Sequence, residues 1–180
     1  MGTNQAQPIL HIPSMAEELR QIWPWKRLEE TCKGIFDCPH SSPKLEPAGL
    51  LLARSQDIRS GVFQQQGAGK VSIKTYQNRI KRAEPTYGDL LYSREGTLGI
   101  AAEVPKNLKV CLGQRMVLIR PKPTILNFRF LRYWLNSPIL SKHIYGYRVG
   151  TAAERLNLST IRNLPVPLPP LPEQKAIASI

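Results

Sequence analysis

The sequence contains no apolar run close to the roughly 20 residues that cross a bilayer. Its first twenty residues, MGTNQAQPILHIPSMAEELR, carry neither a basic start nor a long apolar stretch. A membrane span and a secretory signal are therefore not expected. Ala6 stands where myristoylation of Gly2 calls for Ser or Thr, so lipidation is not expected either. Cysteine is scarce: Cys32, Cys38 and Cys111 form an odd set without framework spacing, which points to a reduced, cytoplasmic compartment. Cys32, Cys38 and His40 are neighbours, but their spacing matches no zinc knuckle and no second ligand pair follows. No metal is expected. His11 and His143 have no acidic or histidine companion at ligand spacing.

The motifs of phosphate and acyl chemistry are missing too. There is no GxGxxG, no GxxxxGK[ST] and no GxSxG. The Asn/Asp-Pro-Pro-aromatic tetrapeptide of adenine methyl transfer is absent as well. Glu103-Val104-Pro105-Lys106 is one residue longer than the Glu-x-Lys of many nucleases, and Pro105 interrupts its strand. It reads as a surface pair. No catalytic residue is expected in this chain.

Acidic residues are few, and that is the informative shortage. Thirteen Asp and Glu face 25 Lys and Arg, for a net charge of +12. Residues 1–48 are close to neutral and residues 83–103 are acidic. Residues 49–82 carry seven bases against Asp57, and residues 104–180 carry twelve against Glu154 and Glu173. Two basic blocks imply a polyanionic partner, nucleic acid before anionic membrane. The blocks are interleaved with Tyr76, Tyr87, Tyr92, Tyr145 and Tyr147 and with Gln and Asn. Arg reads guanine edges, Gln and Asn read adenine, and Tyr packs on sugars and thymine methyls.

What is present fits one domain of mixed α/β class, with a twisted, mostly antiparallel sheet and few helices. Ser14 and Glu17 have capping-box spacing for a short helix that Pro24 ends. Strands are expected at Trp25–Leu28, at Leu50–Ala53, from Val71 through Ile73, at Asp89–Ser93, at Ile100–Val104 and at Met116–Ile119. Residues 33–49, rich in Pro, Gly and Ser, read as a loop, as does Gln64–Gly69. Ser60-Gly61 reads as a turn, and Gly96 sits where a tight turn requires positive φ. Asn127 caps a helix bearing Phe128, Leu131 and Leu135 on one face. Pro138 breaks it, and a second helical turn reaches Ile144. Tyr145–Thr151 reads as a Gly-hinged loop and Val166–Pro172 as extended chain. Pro172 then opens a short helix.

Several stretches resemble a known family in their order. Gly150-Thr151-Ala152, Leu156 and the run Ile161-Arg162-Asn163-Leu164-Pro165-Val166-Pro167-Leu168-Pro169-Pro170-Leu171-Pro172-Glu173-Gln174-Lys175-Ala176-Ile177-Ala178 look like the end of a target recognition domain. In the DNA-specificity subunit of type I restriction-modification enzymes, that end leads into a spacer helix. Gly88-Asp89-Leu90-Leu91 with Gly96-Thr97-Leu98-Gly99 is similar to the family's G-D-hydrophobic-hydrophobic…G-T-x-G element, and Gln114-Arg115 matches the next strand. Trp25-Lys26-Arg27-Leu28, Phe36 to Pro43 and Leu50 to Gly61 also fit. The resemblance covers residues 23–180.

The resemblance implies a target-recognition-domain fold over residues 23–168, after an N-terminal segment and short helix at 1–22. The start of the spacer helix would follow at 169–180. It implies a non-catalytic reader of one half of a bipartite duplex DNA target. S-adenosylmethionine, ATP and Mg would belong to the partner methylation and motor-nuclease subunits, with no cofactor in this chain. Arg54, Arg94, Thr97, Arg115, Tyr147, Arg148 and Thr151 lie in or beside loops near the matched motifs and are the expected DNA-binding residues. Arg94 and Arg115 also suit the solvent rim at strand ends. With one recognition domain and a short helix, the chain is expected to be monomeric. Two other classes stay open: a nuclease or methyltransferase accessory enzyme with its own catalysis, and a structured-RNA-binding protein.

Overall fold

The computed structural model describes residues 16–146 and 154–180. The elements run α1 (Glu17–Ile22), β1 (Trp25–Arg27), α2 (Leu28–Thr31), β2 (Cys32–Asp37), β3 (Leu50–Ala53), β4 (Ile58–Arg59), β5 (Val62–Phe63), β6 (Gly69–Val71) and α3 (Ile73–Arg79). They continue with β7 (Leu90–Ser93), β8 (Ala101–Glu103), β9 (Val110–Leu112), β10 (Met116–Pro121), α4 (Phe128–Leu135), α5 (Pro138–Tyr145), α6 (Leu158–Arg162), β11 (Pro165–Pro167) and α7 (Leu171–Ile177).

The central sheet has the order β2-β10-β7-β8 and is antiparallel throughout. A second sheet, β6-β3-β9, pairs β3 antiparallel to β6 and parallel to β9. The expected mixed α/β class with mostly antiparallel pairing is what is found. β10 and β7 are buried on both faces, because helices cover one side of the sheet and the β3–β9 layer covers the other. Their sequences are accordingly continuous apolar runs rather than alternating ones, Met116–Ile119 and Leu90–Tyr92.

One core cluster joins Leu90, Tyr92, Val117 and Ile119 to Phe130, Leu131, Trp134 and Leu135 of α4 and to Leu140 and Ile144 of α5. A second, with Leu91, Leu118, Met116 and Ala102, packs against Ala53, Val110 and Leu112 of the second sheet. All three cysteines are buried, Cys32 in the first cluster, Cys38 in the second and Cys111 in a third small cluster with Leu52, Val71 and Tyr76. Burial raises the Cys32 thiol to about 12 and that of Cys111 to about 11.

Several expectations are corrected. Residues 33–37, placed in a loop on account of Gly34 and the prolines that follow it, belong to a full strand, Cys32–Asp37, along β10. Here tertiary pairing overrides local composition. Ile73 does not belong to a strand. The Ser72 hydroxyl accepts the Thr75 N–H and starts helix α3, while Ile73 points outward, 67% exposed. Leu28 leaves β1 for the one-turn α2. The α1 N-cap is Ala16, and Ser14 lies outside the described residues. Helix α4 ends at Leu135, three residues before Pro138, and Pro138 begins α5 under a Ser137 cap rather than only breaking a helix. Helix α7 starts at Leu171, one residue before Pro172. Strand β9 and helix α6 were not anticipated.

β1 and β11, near the two ends of the chain, pair with each other. Trp134 Nε1 donates to the Pro165 carbonyl at 2.7 Å, and its ring meets that of Trp25 edge to face, with centroids 5.4 Å apart. Gln174 of α7 is fully buried. Its Oε1 accepts the Asn127 N–H at 2.8 Å, and its Nε2 donates to the carbonyls of Ile125 at 3.0 Å and Pro169 at 2.8 Å. One side chain thereby fastens α7 to the start of α4.

Candidate nucleic-acid interface

Antiparallel pairing brings the C-terminal ends of β2 and β7 beside the N-terminal ends of β10 and β8. The parallel pair β3–β9 ends at the same place: the Gly113 N–H donates to the Ala53 carbonyl at 2.7 Å, and β9 then turns through Gly113–Arg115 into β10. Residues that leave these strands therefore share one end of the molecule. Arg54 follows β3, Arg94 and Thr97 follow β7, and Arg115 precedes β10.

The turns are tightly built. The Gly99 N–H donates to the Ser93 carbonyl at 2.8 Å, and Ser93 Oγ donates to the Glu95 carbonyl at 3.1 Å. Gly96 has φ +80°, as its place in the turn requires. A Cβ there would stand 3.1 Å from Ser55 Oγ, so the Arg54–Asp57 turn touches the Arg94–Gly99 turn directly. Arg115 holds φ +77°, a left-handed conformation that non-glycine residues seldom adopt. The Arg94 N–H donates to the Arg115 carbonyl at 3.1 Å, and the Arg94 carbonyl accepts from Leu156 N–H at 2.9 Å. Three distant segments are thus stitched through one residue.

The arginines are held by acids. Arg54 Nε and Nη2 fork onto the two oxygens of Asp57 at 2.8 and 2.9 Å, and the Arg54 N–H adds a third bond at 3.1 Å. That bidentate partner raises the Arg54 pKa further. Arg94 Nη1 donates to Asp37 Oδ1 at 3.0 Å, and His40 Nε2 lies 3.1 Å from Asp37 Oδ2. Arg82 Nη1 donates to the Asp37 carbonyl at 3.1 Å. Arg115 Nε pairs with Glu95 Oε1 at 3.1 Å while half its side chain stays exposed. Thr97 is exposed at the tip of its turn.

Four of the seven expected residues, Arg54, Arg94, Thr97 and Arg115, are brought to this end. Tyr147, Arg148 and Thr151 lie outside the described residues. His40, Ser42, Arg82 and Gln114 stand at the same end and were not anticipated as site residues; the polar loop around His40 and the Gln114-Arg115 pair were the available signals. Elsewhere, Glu103 does not form the surface pair expected with Lys106: it is engaged by Arg129 at 3.5 Å and Arg132 at 3.1 Å, and Lys106 Nζ lies 5.0 Å from the Tyr87 ring centroid. Among the described residues, no three His, Cys, Asp or Glu gather as a metal site. No described helix is long and apolar enough to cross a membrane.

The fold is that of restriction-system specificity subunits. The HsdS subunit from Thermoanaerobacter tengcongensis superposes with a TM-score of 0.59 at 24% identity, over 97% of this chain and 38% of that one. The type I restriction-modification S subunit from M. genitalium does so with a TM-score of 0.58 at 19% identity, over 87% of this chain and 37% of that one. The profile of the type I restriction modification DNA specificity domain matches residues 53–180, and the chain belongs to that family. The EcoBI specificity subunit of Escherichia coli is 30% identical over 129 residues, 72% of this chain and 27% of its own. A putative MjaX specificity subunit of Methanocaldococcus jannaschii is 26% identical over 170 residues, 91% of this chain and 39% of its own. The chain thus spans between a quarter and two fifths of the length of these relatives.

Proposed function

We propose that this DNA-specificity domain binds duplex DNA and reads one half of a bipartite target for a type I restriction-modification assembly. The observation that carries the reading is the convergence of Arg54, Arg94, Thr97 and Arg115, from three separated segments, on one end of the two sheets. The surplus of Lys and Arg supplies phosphate attraction, and the loop side chains at this end supply base contacts. Arg54 and Arg94, locked onto Asp57 and Asp37, shape the turns. Arg115 and Thr97 reach outward, and we assign direct contact to them.

The chain performs no chemistry of its own in this reading. Methylation and motor-nuclease subunits, with their S-adenosylmethionine, ATP and Mg, attach to the specificity subunit and act in the cytoplasm. Selection of bound sites from random duplexes tests the proposal. A recurring short sequence is expected. Enrichment no better than with an unrelated basic protein would overturn it. Competition by A-form RNA duplex separates the RNA-binding alternative, because its deep, narrow major groove hides the base edges. Methyl transfer or cleavage that follows the pure chain through two purification schemes would restore the enzymatic one.

A further inference from the structure

Arg79 is a buried cation that ties two loops together. It lies on α3, 7% exposed, and among the described residues its hydrogen-bond partners are carbonyls, with no carboxylate. Its Nε donates to the Leu112 carbonyl at 2.6 Å, its Nη1 to Ser41 at 3.0 Å and its Nη2 to Pro39 at 3.3 Å. Burying a guanidinium is costly, and here three carbonyl dipoles offset the cost. Those carbonyls belong to two chain segments far apart in sequence. One is the end of β9, two residues before Gln114. The other is the loop after β2, one residue before Ser42. The two segments meet where Ser42 Oγ donates to Gln114 Oε1 at 2.7 Å. Both side chains are exposed, beside Arg115, Arg94 and His40 at the proposed DNA-facing end.

We infer that Gln114, presented by Ser42 and positioned by Arg79, is a base-reading residue that takes the major-groove edge of an adenine. The chemistry is that of a fixed carboxamide. The Ser42 hydroxyl occupies one lone pair of Oε1 and sets the orientation of the amide, which leaves the second lone pair and two Nε2 protons facing out. Adenine offers the complement, an N7 acceptor and an N6 donor. A glutamine held in place loses little rotamer freedom on binding, so the discrimination it yields is larger than that of a mobile one. Arg79 acts through the backbone of both loops and touches no base.

The inference rests on the DNA-reading proposal, and the test separates the two. Sites are selected from random duplexes with the wild-type chain and with Gln114→Ala, Ser42→Ala and Arg79→Lys. The expected result is a wild-type consensus containing an A·T pair whose preference vanishes in Gln114→Ala, with all other positions kept. Affinity for the wild-type site falls by roughly 5- to 150-fold, the range of one bidentate contact. Affinity for unrelated duplex and the salt dependence stay the same. Ser42→Ala and Arg79→Lys weaken preference at that same position only. Gln114→Ala alters an exposed turn and Ser42→Ala removes one hydroxyl, so the test survives if Arg79→Lys fails to fold. A Gln114→Ala consensus equal to the wild-type one overturns this inference and leaves the DNA reading intact. A wild-type chain that selects no consensus overturns both.

Discussion

Asn136 grips Ala101 with both ends of its amide: its Oδ1 accepts the Ala101 N–H at 2.9 Å, and its Nδ2 donates to the Ala101 carbonyl at 2.9 Å. Ala101 opens β8, the edge strand of the central sheet, and is fully buried. The side chain at the C-cap of α4 thus takes the place of a neighbouring strand for one residue, satisfying an edge that would otherwise need water or a partner. Asn136→Ala leaves a buried N–H and C=O without partners. A loss of about 1–3 kcal/mol in urea unfolding is expected. A change under about 0.5 kcal/mol would show that water replaces the amide at no cost.

Gln174→Ala removes three hydrogen bonds at once, from a residue with no exposed surface. At about 1 kcal/mol each, the loss is roughly 3 kcal/mol. Gln174→Glu keeps the shape but turns an oxygen toward the Ile125 and Pro169 carbonyls that Nε2 now serves, and it buries a charge. It should destabilise at least as much. Amide exchange across α7 should speed up in both variants. An unchanged exchange pattern would show that apolar packing of Ile177 alone holds this helix.

Alkaline pH should weaken the fold. Cys32 and Cys111 ionise near pH 9 when unfolded, but burial raises them to about 12 and about 11 in the native state. Tyr76 and Tyr92 are also pushed upward, chiefly by burial. A pKa raised on folding means that the native state keeps a proton the unfolded chain gives up. Stability is therefore intact below about pH 9 and falls as pH rises toward 12, by up to ~1.4 kcal/mol per pH unit per thiol. Urea titrations at pH 8, 9.5 and 11 read this slope, and Cys32→Ala should flatten it. A flat profile to pH 11 would refute the assignment of burial as the cause.

Binding to any duplex should weaken steeply with salt. If 5 to 8 phosphates are neutralised, the log–log slope has a magnitude of about 4 to 7. The acid-paired arginines at the candidate interface place the slope in the lower half of that span, because Asp57, Asp37 and Glu95 already neutralise Arg54, Arg94 and Arg115. A slope near zero removes the electrostatic part of the reading.

Much of the sheet was legible in the sequence because its central strands are apolar runs closed by turn residues. Leu50–Ala53 was placed to the residue, and Leu90–Ser93 and Met116–Pro121 to within one or two. Asn127 and Gly96 were legible because caps and positive-φ turns are local chemistry. β2 was not, since a strand holding Lys33, Gly34 and Asp37 exists only by pairing with β10, far along the chain, where Asp37 meets Val117. Helix α3 was missed although Ser72 and Thr75 had cap spacing, because Val71 and Ile73 alternate as a strand would. Of the candidate site, the arginines were chosen through motif neighbourhood, whereas their acid partners could not be read in the same way. The partner of Arg94 is Asp37, 57 positions away, and no periodicity connects them. Arg79 was out of reach for the same reason, with its hydrogen-bond partners 33 to 40 positions away.

The short pairing of β1 with β11 places Trp25 opposite Pro167, so the polypeptide arrives at the domain and departs from it side by side. Pro165 and Pro167 have no N–H to extend the ladder, and Leu168 closes it by donating to the Pro24 carbonyl at 2.8 Å. The segment between the two strands, residues 28–164, is in effect a loop whose two ends are fastened at a single point. Loops far from this seam can change in length or sequence without moving the point at which the two ends meet.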